Sequence, residues 1–303
     1  MTTLTKTEKY NGHSMVDTLR KVMVCSPQAA GWNSPDRLAQ SGDLGFPRPP
    51  VFSMAEKQHR ALCKILEEAG VEVVHLPASP SLTLDAVYTH DASLPTDFGL
   101  IAMHPGKANR LPEAAEHRDF CRDLGIPTLG EVKAPGKTEA GDMVWIDAHT
   151  LLVGHGYRTN PDGIHQMREL LKPHGVEVLR APLPYGPGPA ACLHLMSLFS
   201  LLDERTAVVD LPWLAVETVE LLKGRGYRFI AIDSSERDTL AVNVLSLGRG
   251  RLAAIEENKK TNQRLREAGF EVHTFPGSEI CIKGAGGPTC LTRPLLRSDS
   301  QGR

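Results

Sequence analysis

The 303-residue chain has almost no net charge: 34 Lys+Arg stand against 36 Asp+Glu, a formal balance of -2. Broad electrostatic attraction to nucleic acid or to an anionic membrane is not indicated. The chain also lacks any stretch near the roughly 18 apolar residues of a membrane span. Its start, Met1 to Met15, is polar and has no signal-peptide core. The expectation is a cytoplasmic protein with neither a nucleic-acid nor a membrane partner. Six cysteines (Cys25, Cys63, Cys121, Cys192, Cys281, Cys290) are spread over the chain with no C-x-x-C pair. That pattern argues against a disulfide framework and a structural zinc cluster and reads as free thiols. With 41% hydrophobic and 23% charged residues the composition is that of a globular protein able to bury a sizeable core.

Two nucleotide signatures are missing as well: the Gly-rich dinucleotide turn between a strand and a helix, and the G-x-x-x-x-G-K-[ST] loop. What is present is a repeat. An amphipathic helical pattern, a glycine and a short apolar strand recur five times, first as Lys57 to Ala69, Gly70 and Val71 to Leu76. The later copies are centred on Gly125, Gly175, Gly226 and Gly269. A glycine at this place takes the left-handed conformation that ends a helix, so each marks the same corner. Between the glycines lie strand-like runs such as Gly99–Met103, Thr150–Val153, Thr206–Asp210 and Arg251–Ile255. Each unit of roughly fifty residues therefore reads as strand, strand, helix, strand, too small to bury a core alone. We expect one closed α/β domain over residues 19–297, with flexible termini at 1–18 and 298–303.

Equivalent positions in a circular array converge near its axis. Counting 17 to 21 residues on from each landmark glycine gives Asp91, Asp142, His194, Asn243 and Cys290. Two carboxylates, an imidazole, an amide and a thiol at one point make an active-site inventory. Each sits in a sequence suited to a loop at a strand end: Tyr88-Thr-His-Asp91, Glu139-Ala-Gly-Asp142, Leu193-His-Leu-Met-Ser197 and Gly284-Ala-Gly-Gly-Pro-Thr-Cys290. The glycines before Cys290 allow close approach of the backbone to a ligand or another strand, and Pro288 fixes how the thiol is presented. A zinc site drawing on Cys192, His194 and His90 is disfavoured, because Cys-x-His is not a tetrahedral ligand spacing.

These motifs together resemble the guanidino-group modifying enzymes of the pentein superfamily, most nearly the dimethylarginine dimethylaminohydrolases, with arginine deiminases next. The resemblance runs from about Val22 to Leu296 and rests on Asp85-x5-Asp91, Glu139-Ala-Gly-Asp142, Gly156-Tyr-Arg-Thr-Asn160, His194-Leu-Met-Ser197 and Cys290. It implies a five-bladed α/β propeller of pseudo-fivefold ββαβ modules. It also implies Cys290 as nucleophile, His194 as general acid and base, and Glu139 and Asp91 holding the guanidinium. Arg158, and Arg110 in Pro105-Gly-Lys-Ala-Asn-Arg110, would grip a substrate carboxylate, and Asp85 would meet its α-amino group. Asp142 and His90 complete the expected substrate-binding set. Neither metal nor cofactor is implied, and the expected assembly is a homodimer.

The chemistry suits these residue types. A guanidinium carbon is a poor electrophile, so the reaction needs a thiolate and carboxylates that hold the planar cation in one orientation. Two positions bear on the substrate. Arginine deiminases carry an acid two residues after the histidine, where this chain has Met196, and dimethylargininases carry an acid before the aspartate, where it has His90. The leading expectation is hydrolysis of an arginine-like guanidino compound such as dimethylarginine, with arginine deimination, amidino transfer and non-catalytic binding of an arginine derivative as alternatives. The Pro- and Gly-rich stretch from Ser26 to Pro50 is the candidate flap over the site.

Overall fold

The computed structural model describes residues 10–298 apart from Pro187, Ala190 and Cys192. The first unit holds β1 (Thr18–Val24), the short helix α1 (Pro35–Ala39), α2 (Phe52–Glu68) and β2 (Glu72–His75). The second holds β3 (Ser93–Thr96), β4 (Gly99–Ala102), α3 (Leu111–Asp123) and β5 (Thr128–Glu131), and the third β6 (Met143–Asp147), β7 (Thr150–His155), α4 (Pro161–Leu171) and β8 (Glu177–Pro182). The fourth is β9 (Phe199–Asp203), β10 (Thr206–Val209), α5 (Val216–Gly224) and β11 (Arg228–Ala231). The fifth is β12 (Leu245–Gly248), β13 (Arg251–Ile255), α6 (Lys259–Glu267) and β14 (Glu271–Phe275). The last strand, β15 (Arg293–Ser298), returns to lie antiparallel on β1 and completes the first unit.

Five separate three-stranded sheets result, each an antiparallel pair with the post-helix strand added in parallel. This is the five-bladed α/β propeller expected. The blade built from β15, β1 and β2 joins the two ends of the chain, with Met23 opposite Arg293 and Thr18 opposite Ser298.

Local chemistry accounts for the units. In α2 the buried positions Ala55, His59, Leu62 and Leu66 recur at helical spacing, so one stripe faces the core. The helix begins at Phe52, five residues before the periodicity alone suggests, because Val51 and Glu279 tie its entry: the Val51 N–H donates to Glu279 Oε2 at 2.8 Å. Helix α2 ends as expected at Gly70, whose φ is 81°, with the Val71 N–H returning to Leu66 O at 3.0 Å. The other four landmark glycines also have positive φ. Apolar packing is divided among neighbouring blades: Ile101 of β4 packs with Trp145 of β6, and Leu152 of β7 with Phe199 of β9.

Residues 10–17, expected to be part of a loose terminus, make specific contacts instead. His13 stacks on Trp145 at 3.9 Å between ring centroids, and its Nδ1 lies 2.9 Å from Ala148 O. Asn11 bridges β15, accepting from the Arg297 N–H at 2.8 Å. A polar composition suggests a solvated segment, whereas fixed backbone groups here take up its hydrogen bonds. Residues 1–9 and 299–303 lie outside the described residues. No helix among the described residues is long and apolar enough to cross a membrane.

Because β15 carries the closure of the first blade, the fully buried Leu295 is a test of it. Leu295→Ala is expected to lower stability by about 2–5 kcal/mol. Val216→Ala, at a side chain 77% exposed, should stay within about 0.5 kcal/mol. Urea unfolding midpoints of the two variants provide the comparison.

Candidate active site

Each residue picked out by counting from a landmark glycine precedes the first strand of a blade: Asp91 β3, Asp142 β6, His194 β9, Asn243 β12 and Cys290 β15. The strands converge, so their entry loops meet. Asp91, His194 and Cys290 line one cleft of about 360 Å³, together with Asp85, Lys107 and Arg158. One wall comes from Asp43, Leu44, Gly45 and Phe46, part of the expected flap. Trp32, fully buried, fastens that segment by donating from Nε1 to Leu84 O at 2.9 Å.

At the centre is a buried carboxylate. Glu139 Oε1 accepts from Arg158 Nε at 2.9 Å and from the Gly106 N–H at 2.9 Å. Its Oε2 lies 2.7 Å from His194 Nε2 and 2.9 Å from Arg158 Nη2. Burial alone would raise the Glu139 pKa, but the hydrogen bond to His194 and the charges of His194 and Arg158 hold it below the ordinary value. The imidazole is thus oriented by a carboxylate, which in turn is held by an arginine. His194 also caps its own turn, its N–H reaching Ser197 Oγ at 3.2 Å and its carbonyl accepting from the Ser197 N–H.

Asp91 presents the second carboxylate. Oδ2 pairs with Arg110 Nη1 at 2.5 Å. Oδ1 is buried, has no hydrogen-bond partner and lies 3.7 Å from His194 Nδ1. Burial would raise this pKa too; the His194 and Arg110 charges outweigh it and hold Asp91 well below the usual carboxylate range. Gly141 is needed beside it, because a Cβ there would lie 2.4 Å from His194 Nδ1 and 2.7 Å from Asp91 Oδ1. Cys290 accepts from Asn243 Nδ2 at 3.0 Å, and Asn243 Oδ1 takes the Thr289 N–H. The glycines before the thiol make room for side chains: a Cβ on Gly286 would meet the Tyr88 ring at 2.4 Å and one on Gly287 would meet Asn243 at 2.6 Å. Of the five described cysteines, Cys290 alone is not buried. Burial pushes Cys25, Cys63 and Cys121 up to about 12.

Three expected substrate-binding residues are placed otherwise. Arg110 lines the cleft but is buried, and its guanidinium is engaged within the protein: besides Asp91 it bonds both oxygens of Glu113 and the Tyr88 carbonyl, so it fixes Asp91. Burial raises Glu113 to about 7 even against the pull of Arg110. Asp142 is fully buried behind the cleft and accepts from Thr159 Oγ1 at 2.6 Å and the Leu195 N–H at 2.9 Å, positioning the His194 turn. His90 faces away from the cleft, its ring against Arg293 at 2.8 Å and the Thr292 carbonyl at 3.0 Å. Burial, then the Arg293 charge, lowers it to about 3, so it is a neutral internal ring. Met196 is buried among apolar side chains of the third and fourth blades and brings no charge to the cleft. Cys192 lies outside the described residues.

Sequence reasoning missed Lys107 and Asn109, which bond Asp85 Oδ2 at 2.6 and 2.8 Å. Lys107 Nζ also reaches Leu44 O at 2.6 Å, tying the flap segment to the site. Both stand in the Pro105–Arg110 motif, beside the arginine that the resemblance singles out. As to metals, one donor atom each from Asp91, Glu139 and His194 lie within 4.8 Å of one another. All but Asp91 Oδ1 of the four carboxylate oxygens already accept from protein donors.

Fold and site define a class: an α/β propeller with a thiol, an imidazole and buried carboxylates at the meeting point of its blades. Comparison with known proteins agrees. A family model described as arginine deiminase matches residues 212–297. An N(G),N(G)-dimethylarginine dimethylaminohydrolase of Streptomyces coelicolor is 27% identical over 244 residues, 79% of this chain and 85% of that protein. The Pseudomonas aeruginosa protein of the same name is 25% identical over 243 residues, 80% of this chain and 89% of it. Its solved structure, a cysteine-to-serine variant complexed with citrulline, superimposes with a TM-score of 0.74 at 22% identity, covering 93% of this chain and 100% of that one. An amidinotransferase of Microseira wollei shares the fold with a TM-score of 0.75 at 19% identity, covering 97% of this chain and 98% of that one. The chain is thus similar in sequence to dimethylarginine dimethylaminohydrolases and arginine deiminases, and in fold to the pentein superfamily.

Asp142 offers a test of the site's electrostatics. Burial, partly offset by His194 and the Thr159 and Leu195 hydrogen bonds, raises it to about 6 from 3.8. A raised folded pKa means that its stabilising contribution is present below the unfolded value and is lost as pH rises through the folded one. For a shift of this size the loss is on the order of 3 kcal/mol between pH 4 and pH 7. Asp142→Asn is expected to escape it, so urea midpoints of variant and wild type should diverge in favour of the variant across that window. Parallel profiles would contradict the assignment.

Proposed function

We propose that the protein is a cysteine-dependent hydrolase of a guanidino C–N bond in an arginine-like substrate, with dimethylarginine, giving citrulline and dimethylamine, as the leading case. The observation that carries the reading is Asp91 Oδ1: a buried carboxylate oxygen without a hydrogen-bond partner, on a cleft that also presents Cys290 and His194. A planar cation that donates two N–H groups suits such an acceptor, and the carboxylate offsets the cation's desolvation. The names of the relatives in Pseudomonas and Streptomyces point to the same substrate class.

In this reading the Cys290 thiolate adds to the guanidinium carbon, and His194 protonates the departing amine as the C–N bond breaks. A covalent thiouronium results. Water, giving its proton to the same imidazole, then adds to that carbon, and the C–S bond breaks to release the ureido product and the thiolate. Glu139 acts through His194, holding the ring. Arg158 meets the substrate carboxylate, and Asp85 takes the α-ammonium in place of Lys107. Arg110, Asp142 and His90 support the site without touching substrate. No step calls for a metal or cofactor. Met196 supplies no second carboxylate for an unsubstituted guanidinium, which favours the N-methylated substrate over free arginine.

The test is ureido product from pure protein with dimethylarginine, monomethylarginine, arginine and agmatine, with and without glycine. Citrulline should form from dimethylarginine, vanish in Cys290→Ser and fall by about 10²–10⁴ in His194→Ala. Asp85→Asn should raise KM for the amino-acid substrates and leave agmatine unaffected. Diversion of the amidino group to glycine would make the protein a transferase, and binding without turnover of any of these would overturn the hydrolase reading.

A further inference from the structure

Behind the cleft lies another, smaller cavity of about 30 Å³. It is walled by the first strands of blades two to five, through Pro95, Trp145, Ser200 and Ser246, and by Arg293 and Arg297 of the closing strand β15. It therefore sits on the propeller axis. Four buried polar atoms on its walls have no hydrogen-bond partner: Trp145 Nε1, Ser200 Oγ, Arg293 Nε and Arg297 Nε. Three of these are obligatory donors and the fourth, a hydroxyl, is able to donate. The imbalance is one of charge as well as hydrogen bonds. Arg293 and Arg297 are each 4% exposed. Their hydrogen-bond partners are neutral: the Ser93 carbonyl and the His90 ring for Arg293, the Asp17 and Ser246 carbonyls for Arg297. Neither guanidinium makes an ion pair among the described residues; Asp91 and Asp17 act on Arg293 and Arg297 only as more distant charges that partly offset the cost of burial. Burial lowers the pKa of Arg293 only to about 9, so the group stays cationic at neutral pH.

Buried charge that no ion pair offsets is costly, and buried donors without an acceptor on the wall of one cavity call for an acceptor inside it. A water molecule needs about 10–15 Å³ of such space, so the cavity has the size of about two waters or one monatomic anion. Water would take up donors without neutralising the guanidinium groups. We propose that the axial cavity is a binding site for a single halide ion, chloride in the first place, held by Arg293, Arg297, Trp145 and Ser200. The site would brace the nucleophile loop from behind, because Arg293 contacts His90, whose N–H donates to the Cys290 carbonyl at 3.1 Å and whose Nδ1 meets the Thr292 carbonyl.

The test is thermal unfolding at constant ionic strength, with sodium gluconate replaced stepwise by sodium chloride or bromide. The Tm should rise with the logarithm of halide concentration above its Kd, by about 2–5 °C for each tenfold increase. A crystal grown in bromide should show one anomalous peak between Arg293 and Trp145. Cys290→Ser should keep the full effect, which separates this site from the catalytic cleft. Arg293→Met should abolish it, and should that variant fail to fold, Trp145→Phe is expected to weaken halide binding several-fold. A Tm indifferent to halide, or bromide density only in the cleft with water in the axial cavity, would overturn the proposal.

Discussion

Burial of the Glu139 carboxylate is the constraint on which the rest of the site depends. Taking that charge out of water costs several kcal/mol, and the protein offsets it with a bidentate arginine, a backbone N–H and an imidazole. Those partners come from different blades: Gly106 follows β4, Arg158 follows β7, and His194 precedes β9. Satisfying one carboxylate therefore fixes the relative placement of three blades and orients the imidazole that faces the cleft. The second carboxylate, Asp91, is held by Arg110, itself locked by Glu113 on α3. Its remaining oxygen is left to a ligand.

Charge is distributed unevenly along the propeller axis. On the cleft side, buried acids outnumber the cations they meet directly, and their hydrogen-bond capacity ends at Asp91 Oδ1. Behind it, Arg293 and Arg297 present donors without acceptors. The two regions touch through His90 and the Cys290 backbone. A cationic ligand in front and an anion behind would each complete what the fold leaves unmatched, which is the common physical basis of both proposals.

Much of this was legible from the residues. Helix-ending glycines at a regular interval gave the five blades, because the left-handed corner is a backbone requirement visible in sequence. Counting from them found Asp91, His194, Asn243 and Cys290, since equivalent positions in a closed array are forced together. Direction was not legible. His90 is adjacent to Asp91, yet consecutive extended residues point to opposite sides, and its ring went to the axial cavity. Asp142 counts correctly to the site and still lies behind it, because the Thr159 hydroxyl and the Leu195 N–H claim it. Arg110 resembles a ligand-binding arginine until Glu113, one helical turn on, shows what holds it. Packing of residues 10–17 depends on partners far along the chain, which local composition does not encode.

The central claim is that Cys290 forms a covalent bond to a guanidino carbon. Acid quenching of the protein during turnover of dimethylarginine or S-methylthiocitrulline, followed by peptide mass spectrometry, tests it most directly. The account predicts a thiouronium-type mass increment confined to the peptide bearing Cys290, and lost in Cys290→Ser. Turnover with no adduct there, or an adduct on another cysteine, would contradict it.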